Sequence, residues 1–172
     1  MKKIAFTLLI ATLLISCKKD DDGDSGTSIE GTWKLTAFTT ETGFDFNNDG
    51  TASTNLLAET NCYQNETLEF SSNGSGTATT RSYADITLDF VAGSTTEYEY
   101  TVNCIQETET SSFNWAQNGS NMVITATDFS YTGTISGATL TIIIPSGFVV
   151  EVEDGNGTAF TTEDITIVYT KQ

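Results

Sequence analysis

Side chains that change character at every residue constrain this chain more than any other feature. Between Thr96 and Cys104, Tyr98, Tyr100, Val102 and Cys104 fall on one side; Glu97, Glu99, Thr101 and Asn103 fall on the other. A period of two belongs to a β-strand with one buried face. The pattern recurs within Ile29–Glu41, where Trp33, Leu35 and Ala37 oppose Lys34, Thr36 and Phe38. Thr67–Ser71 turns Leu68 and Phe70 inward, and Thr77–Phe90 sets Ile86, Leu88 and Phe90 against Asp85, Thr87 and Asp89. Phe113 with Trp115, Met122 with Ile124, and Ile165 with Ile167 and Tyr169 extend the series.

Turn signals separate these segments: Asn73-Gly74, Asn118-Gly119, Ser136-Gly137 and Asp154-Gly155-Asn156-Gly157. Asn55 to Asn61 suits a short helical turn around Leu56 and Leu57, and no longer helix is predicted. Roughly nine or ten short strands at this spacing predict an all-β domain. A single antiparallel meander barrel is the leading architecture, because closure removes unpaired edges. A β-sandwich is the alternative. Ten Phe, six Tyr and two Trp supply enough apolar mass for a core.

The charge excludes some functions. Acids outnumber bases 23 to 7, for a net charge of −16. Within residues 29–172 the only bases are Lys34, Arg81 and Lys171. Such a surface repels phosphate backbones, so no nucleic-acid partner is expected. The chain has no histidine. It lacks the usual general base near neutral pH and the commonest zinc ligand, and a Ser-His-Asp or Cys-His mechanism is impossible. The recurring acidic pairs, Asp85/Asp89, Glu97/Glu99, Glu107/Glu109 and Glu151/Glu153, oppose the apolar residues and read as a solvated outer face. No enzyme is expected.

The amino terminus carries an address. Met1-Lys2-Lys3 precedes an apolar run from Ile4 to Ile15. The run is shorter than the about 20 residues a membrane-spanning helix needs, and it matches a secretory signal. It ends in Leu14-Ile15-Ser16-Cys17, which resembles the lipobox at which a lipoprotein is acylated and cleaved. Residues 1–16 are therefore read as a signal peptide, and Cys17 as the lipidated residue that joins the chain to a membrane. Stable anchoring takes two acyl chains, which a diacylglycerol supplies. Residues 17–28, with the Lys18-Lys19-Asp20-Asp21-Asp22 run, read as a disordered acidic tether. That run resembles an export signal to the outer face of the outer membrane, so cell-surface exposure is expected. Residues 29–172 form the barrel domain. With Cys17 acylated, Cys62 and Cys104 remain in an oxidising compartment, and a disulfide between them is expected.

Several motifs together resemble the lipocalin-like domain of bacterial surface lipoproteins. They are Gly31-Thr32-Trp33, Leu68-Glu69-Phe70 with Asn73-Gly74, Phe113-Asn114-Trp115 with Asn118-Gly119, and Gly133-Thr134-Ile135-Ser136-Gly137-Ala138-Thr139-Leu140. The resemblance spans nearly all of residues 29–172. It implies an antiparallel barrel able to bind a small apolar molecule. The family pattern places an arginine near the last strand, stacked on the first-strand Trp; here only Lys171 stands there.

One loop carries metal-ligand spacing. Asp45, Asn47 and Asp49 occupy positions 1, 3 and 5 of a calcium loop, Gly50 position 6, and Thr51 the backbone-carbonyl position 7. Position 12 is Leu56, so Glu59 is the candidate for the missing carboxylate. Calcium is the one candidate cofactor, and a plain Asx-rich loop is the competing reading. Three kinds of partner remain open: a small apolar molecule, a glycan, or another surface protein, the latter two with calcium as a brace.

Overall fold

The structure, a computed structural model, describes residues 28–94, 98–153 and 158–172. The signal peptide, Cys17 and the tether up to Thr27 lie outside these residues. In chain order the elements are β1 (Gly31–Phe44), β2 (Ser53–Asn55), α1 (Leu56–Glu59), β3 (Thr67–Phe70), β4 (Ser75–Thr80), β5 (Tyr83–Phe90), β6 (Tyr98–Ile105), β7 (Glu109–Asn118), β8 (Asn121–Thr125), β9 (Ser130–Ser136), β10 (Thr139–Glu153) and β11 (Thr158–Lys171).

Eight strands close a barrel in the order β1-β3-β4-β7-β8-β9-β10-β11, and β11 returns to pair antiparallel with β1. The sandwich alternative is thereby set aside: closure pairs both edges of β1, with Leu68 of β3 opposite Trp33 on one side and Lys171 of β11 on the other. The hairpin turns fall where the sequence places them, with Asn118 opposite Asn121 and Ser136 opposite Thr139.

The interior is filled. Ile29, Trp33, Leu68, Phe70, Phe113, Met122, Ile124, Ile135, Leu140 and Ile142 form one buried cluster, with Trp115, Tyr131 and Tyr169 packed against it. Its residues come from six barrel strands, at alternate positions where a strand gives two, and from Ile29 just before β1, as the period of two requires. Fully burying one such large side chain contributes about 1.5–3 kcal/mol.

The meander expectation is corrected at one place. Thr77–Phe90 is not one strand. It breaks at Arg81-Ser82, where β4 stays in the barrel and β5 leaves it. Among the described residues β5 and β6 pair only with each other, Tyr83 opposite Ile105 and Phe90 opposite Tyr98, and the barrel resumes at β7, paired with β4. Glu66 makes the break possible. Its buried carboxylate accepts from the amide of Arg81 at 2.9 and 2.8 Å and from the amide of Ser82 at 3.2 Å. Both amides have left the ladder at this corner, and the carboxylate meets a demand that a buried backbone cannot leave open.

The face of β1 is also corrected. The pairing with β11 shifts between Leu35 and Ala37. This bulge moves the inward set from odd to even positions: Trp33 and Leu35 before it, Thr40 and Phe44 after it. Phe38, expected to face outward, is carried in and packs beneath the β5–β6 hairpin. One extra residue in a strand is what reverses its facing.

Candidate binding site at the aromatic end of the barrel

β1 runs from Trp33 in the main core to Phe44 in a second cluster. There Phe44, Phe46 and Leu56 are buried, and Phe38, Ile86, Tyr100, Val102 and Phe148 pack around them. The Phe44 and Phe46 rings stack at 5.1 Å. Tyr100 meets Phe46 edge-on at 5.1 Å, Phe148 lies 5.4 Å from Phe44, and Phe38 meets Tyr63 at 5.2 Å. Each such pair contributes about 0.5–1.5 kcal/mol beyond its buried area.

The β5–β6 hairpin roofs this cluster through Ile86, Tyr100 and Val102. A two-stranded hairpin is marginal by itself. Three ties hold this one down. Glu66 grips its entry, as above. Asn48 Nδ2 donates to the Tyr100 carbonyl at 3.0 Å. The Cys62–Cys104 disulfide, with Cα atoms 5.2 Å apart, bolts β6 to the loop after α1, so the expected pairing is present. That loop is tightly wound: Tyr63 and Asn65 hold φ of 61° and 66°, a region that is costly for a bulky residue such as Tyr63. Burial raises the Tyr63 hydroxyl above its ordinary pKa; a hydrogen bond with the Ala84 backbone opposes this and the Glu66 charge adds to it.

Asp45, Asn47 and Asp49 do converge, but on backbone amides. Asp45 accepts from Asp49 N at 2.9 Å and from Gly50 N at 2.8 Å; Asn47 Oδ1 accepts from Asp49 N at 2.9 Å; Asp49 Oδ1 accepts from Thr51 N at 2.8 Å. Glu59 is not brought to them by any hydrogen bond among the described residues. It sits in α1, three residues after Leu56, 6% exposed, and its Oε2 has no hydrogen-bond partner among the described residues. No group of three or more Asp, Glu or Cys side chains is close enough to hold a metal among the described residues. Asx-type hydrogen bonds within the loop hold Asp45, Asn47 and Asp49 in place.

The acidic pairs face water where they are described: Asp85, Asp89, Glu99, Glu107 and Glu109 are exposed. Sequence reading missed Glu66 and Tyr63. A single acid in the polar run Asn61–Thr67 carries no periodicity, and nothing local distinguishes Glu66 from a surface carboxylate. No helix among the described residues is long and apolar enough to cross a membrane.

What the fold defines is a class: a closed, eight-stranded antiparallel barrel with one hairpin folded over an aromatic cluster. No family model, curated protein or solved structure matches this chain.

Proposed function

We propose that this chain is an exported lipoprotein, held in the outer membrane by acyl chains on Cys17, and that its barrel is a non-enzymatic, lipocalin-like binding module exposed at the cell surface. Its ligand is a small apolar molecule taken between the hairpin and the aromatic cluster. One observation carries this reading: the aromatic cluster is separate from the filled barrel interior and is roofed by strands that pair with no barrel strand among the described residues. A ligand there displaces side-chain packing without breaking a barrel ladder. The absence of histidine and the outward position of the described paired carboxylates support a non-enzymatic role.

Native mass spectrometry of the protein purified from its own host tests the ligand. The expected result is a co-purifying small molecule that Phe46→Ala releases. Bare protein mass, with no uptake of fluorescent fatty-acid or sterol probes, overturns the reading. Palmitate labelling abolished by Cys17→Ala, with protease access on intact cells, tests the anchor and the address.

A second reading, a calcium-braced surface that contacts a glycan or protein, is favoured by the Asp45–Thr51 loop, since Asn48 in that loop bonds the hairpin. It expects calcium to raise the melting temperature, and an unchanged melt between excess calcium and chelator rejects it.

A further inference from the structure

Charge is sorted along the barrel axis. The first and last described residues meet at one end: Lys171 Nζ donates to the Ser28 carbonyl at 2.7 Å, Gln172 N to the Thr32 carbonyl at 2.9 Å, and Ile29 N to Gln117 Oε1 at 3.2 Å. Ile135 N donates to the Ser120 carbonyl and Lys171 N to the Ala138 carbonyl, which brings the β7–β8 and β9–β10 turns to the same end. The β3–β4 turn joins them, since Trp115 N donates to the Gly74 carbonyl. These turns, residues 71–74, 118–120 and 136–138, hold hydroxyls and amides and no charged residue. The half of the barrel around them carries Glu30, Glu69, Lys34 and Lys171, whose charges cancel. Every other acid of the described residues lies toward the opposite end: on residues 41–66, the β5–β6 hairpin, the entry to β7, the β8–β9 turn, and the β10–β11 ribbon beyond the Ile144–Ile165 pair. Arg81 is the only base there among the described residues. The aromatic site lies at that acidic end.

We infer that the uncharged end faces the membrane and that the acidic end, with its aromatic site, points away from it. The inference rests on the reading that Cys17 carries the lipid anchor. Ser28 follows Cys17 by eleven residues and enters the barrel at the uncharged end. A chain of that length reaches at most about 40 Å. β1, with 14 residues, spans about 46 Å along the strand. At the usual strand tilt this is about 35 Å of barrel height. An inverted pose would draw the tether out almost fully, at a cost in chain entropy. A barrel lying flat needs no such stretch, and there charge decides. It brings the acids of the hairpin and the ribbon against lipid phosphates, where like charges repel. The upright pose sets hydroxyls, amides and balanced charges near the headgroups, and the hydroxyls and amides can donate to phosphate oxygens. The partner this end faces is an anionic lipid surface. The ligand site then opens to the surroundings, and its ligand is taken from outside the bilayer.

Fluorescence quenching on vesicles tests the orientation. The full exported chain, acylated at Cys17, is reconstituted in phosphatidylglycerol vesicles that contain a nitroxide-headgroup lipid. A dye is placed on the added cysteine of Ser72→Cys, in the β3–β4 turn, or of Thr127→Cys, in the β8–β9 turn; both positions are exposed. The dye at position 72 should be quenched at least about fivefold more than the dye at position 127, the bias that a single charge near an anionic surface already gives. Sodium chloride at about 0.5 M should narrow the ratio by screening, and so should vesicles of phosphatidylcholine. Protein that floats with the vesicles but shows equal quenching at the two positions overturns the inference alone. A ratio that salt and lipid charge leave unmoved overturns it as well, since the tether would then set the pose by itself. Protein that stays behind when the vesicles float removes the lipid anchor, and the inference with it.

Discussion

Lys171 Nζ stands 5.7 Å from the centre of the Trp33 ring and donates to the Ser28 carbonyl at 2.7 Å. Trp33 is fully buried, and its indole N–H donates to the Ile29 carbonyl at 2.6 Å. The last strand thus seals the barrel over the first. Lys171→Met should destabilise the domain by about 1 kcal/mol, the scale of one partly exposed cation–π contact with its hydrogen bond. Lys171→Arg should restore most of the loss in urea denaturation.

Glu66 leads to a larger cost. Glu66→Ala leaves the Arg81 amide and the buried Ser82 amide without their acceptor. A loss of about 1–3 kcal/mol is expected when one buried and one part-buried amide lose their charged acceptor. Hydrogen exchange should quicken first at Arg81, Ser82 and β5.

Gly76 lies beneath the Phe113 ring, in the space a Cβ would take, and that Cβ would also stand 2.7 Å from the Glu69 carbonyl. Backbone cannot yield as a flexible side chain does. Gly76→Ala should cost about 1–3 kcal/mol, the range for overpacked cores. A thermal melt of the variant checks it.

The disulfide closes a span of 42 residues. Replacing both Cys62 and Cys104 with serine should lower stability by about 4 kcal/mol in the chain-entropy account. Among the described residues the hairpin has no ladder to the barrel, so exchange protection should fall more in β5 and β6 than in β8 and β9.

Tyr169 packs against the main core, and burial, helped by the Glu66 charge, pushes its hydroxyl up to about 12. The unfolded chain ionises this group near its ordinary value of 10.0. Between those values the unfolded state releases a proton that the folded state keeps, so stability is full below pH 10 and falls as pH rises toward 12. The loss attributable to Tyr169 is about 2–3 kcal/mol. Tyr169→Phe should flatten the stability profile over that window.

Much of the fold was legible because alternation is a local signal. Leu68 and Phe70, Met122 and Ile124, and Ile165 face inward as their spacing requires. The short turn around Leu56 and the Cys62–Cys104 pair also stand where the sequence reading expected them. The aromatic site was less legible. Phe38 reaches it only through a bulge, and a bulge leaves no mark in the alternation around Thr36. Phe44 and Phe46 lie beyond the alternation that ends at Glu41, Phe46 inside the Asp45–Thr51 loop, where no period marks an inward face.

The sequence by itself determined that this chain makes strands with one apolar face, separated by turns and surrounded by acids, because side-chain period and turn residues act within a few residues and charge is a simple count. Tertiary structure alone decided that β11 returns to β1, that β5 and β6 step out of the wall, and that Glu66 is the residue that holds the corner. Those outcomes depend on which distant groups meet. Burial and unpaired amides select such meetings only once the barrel has closed.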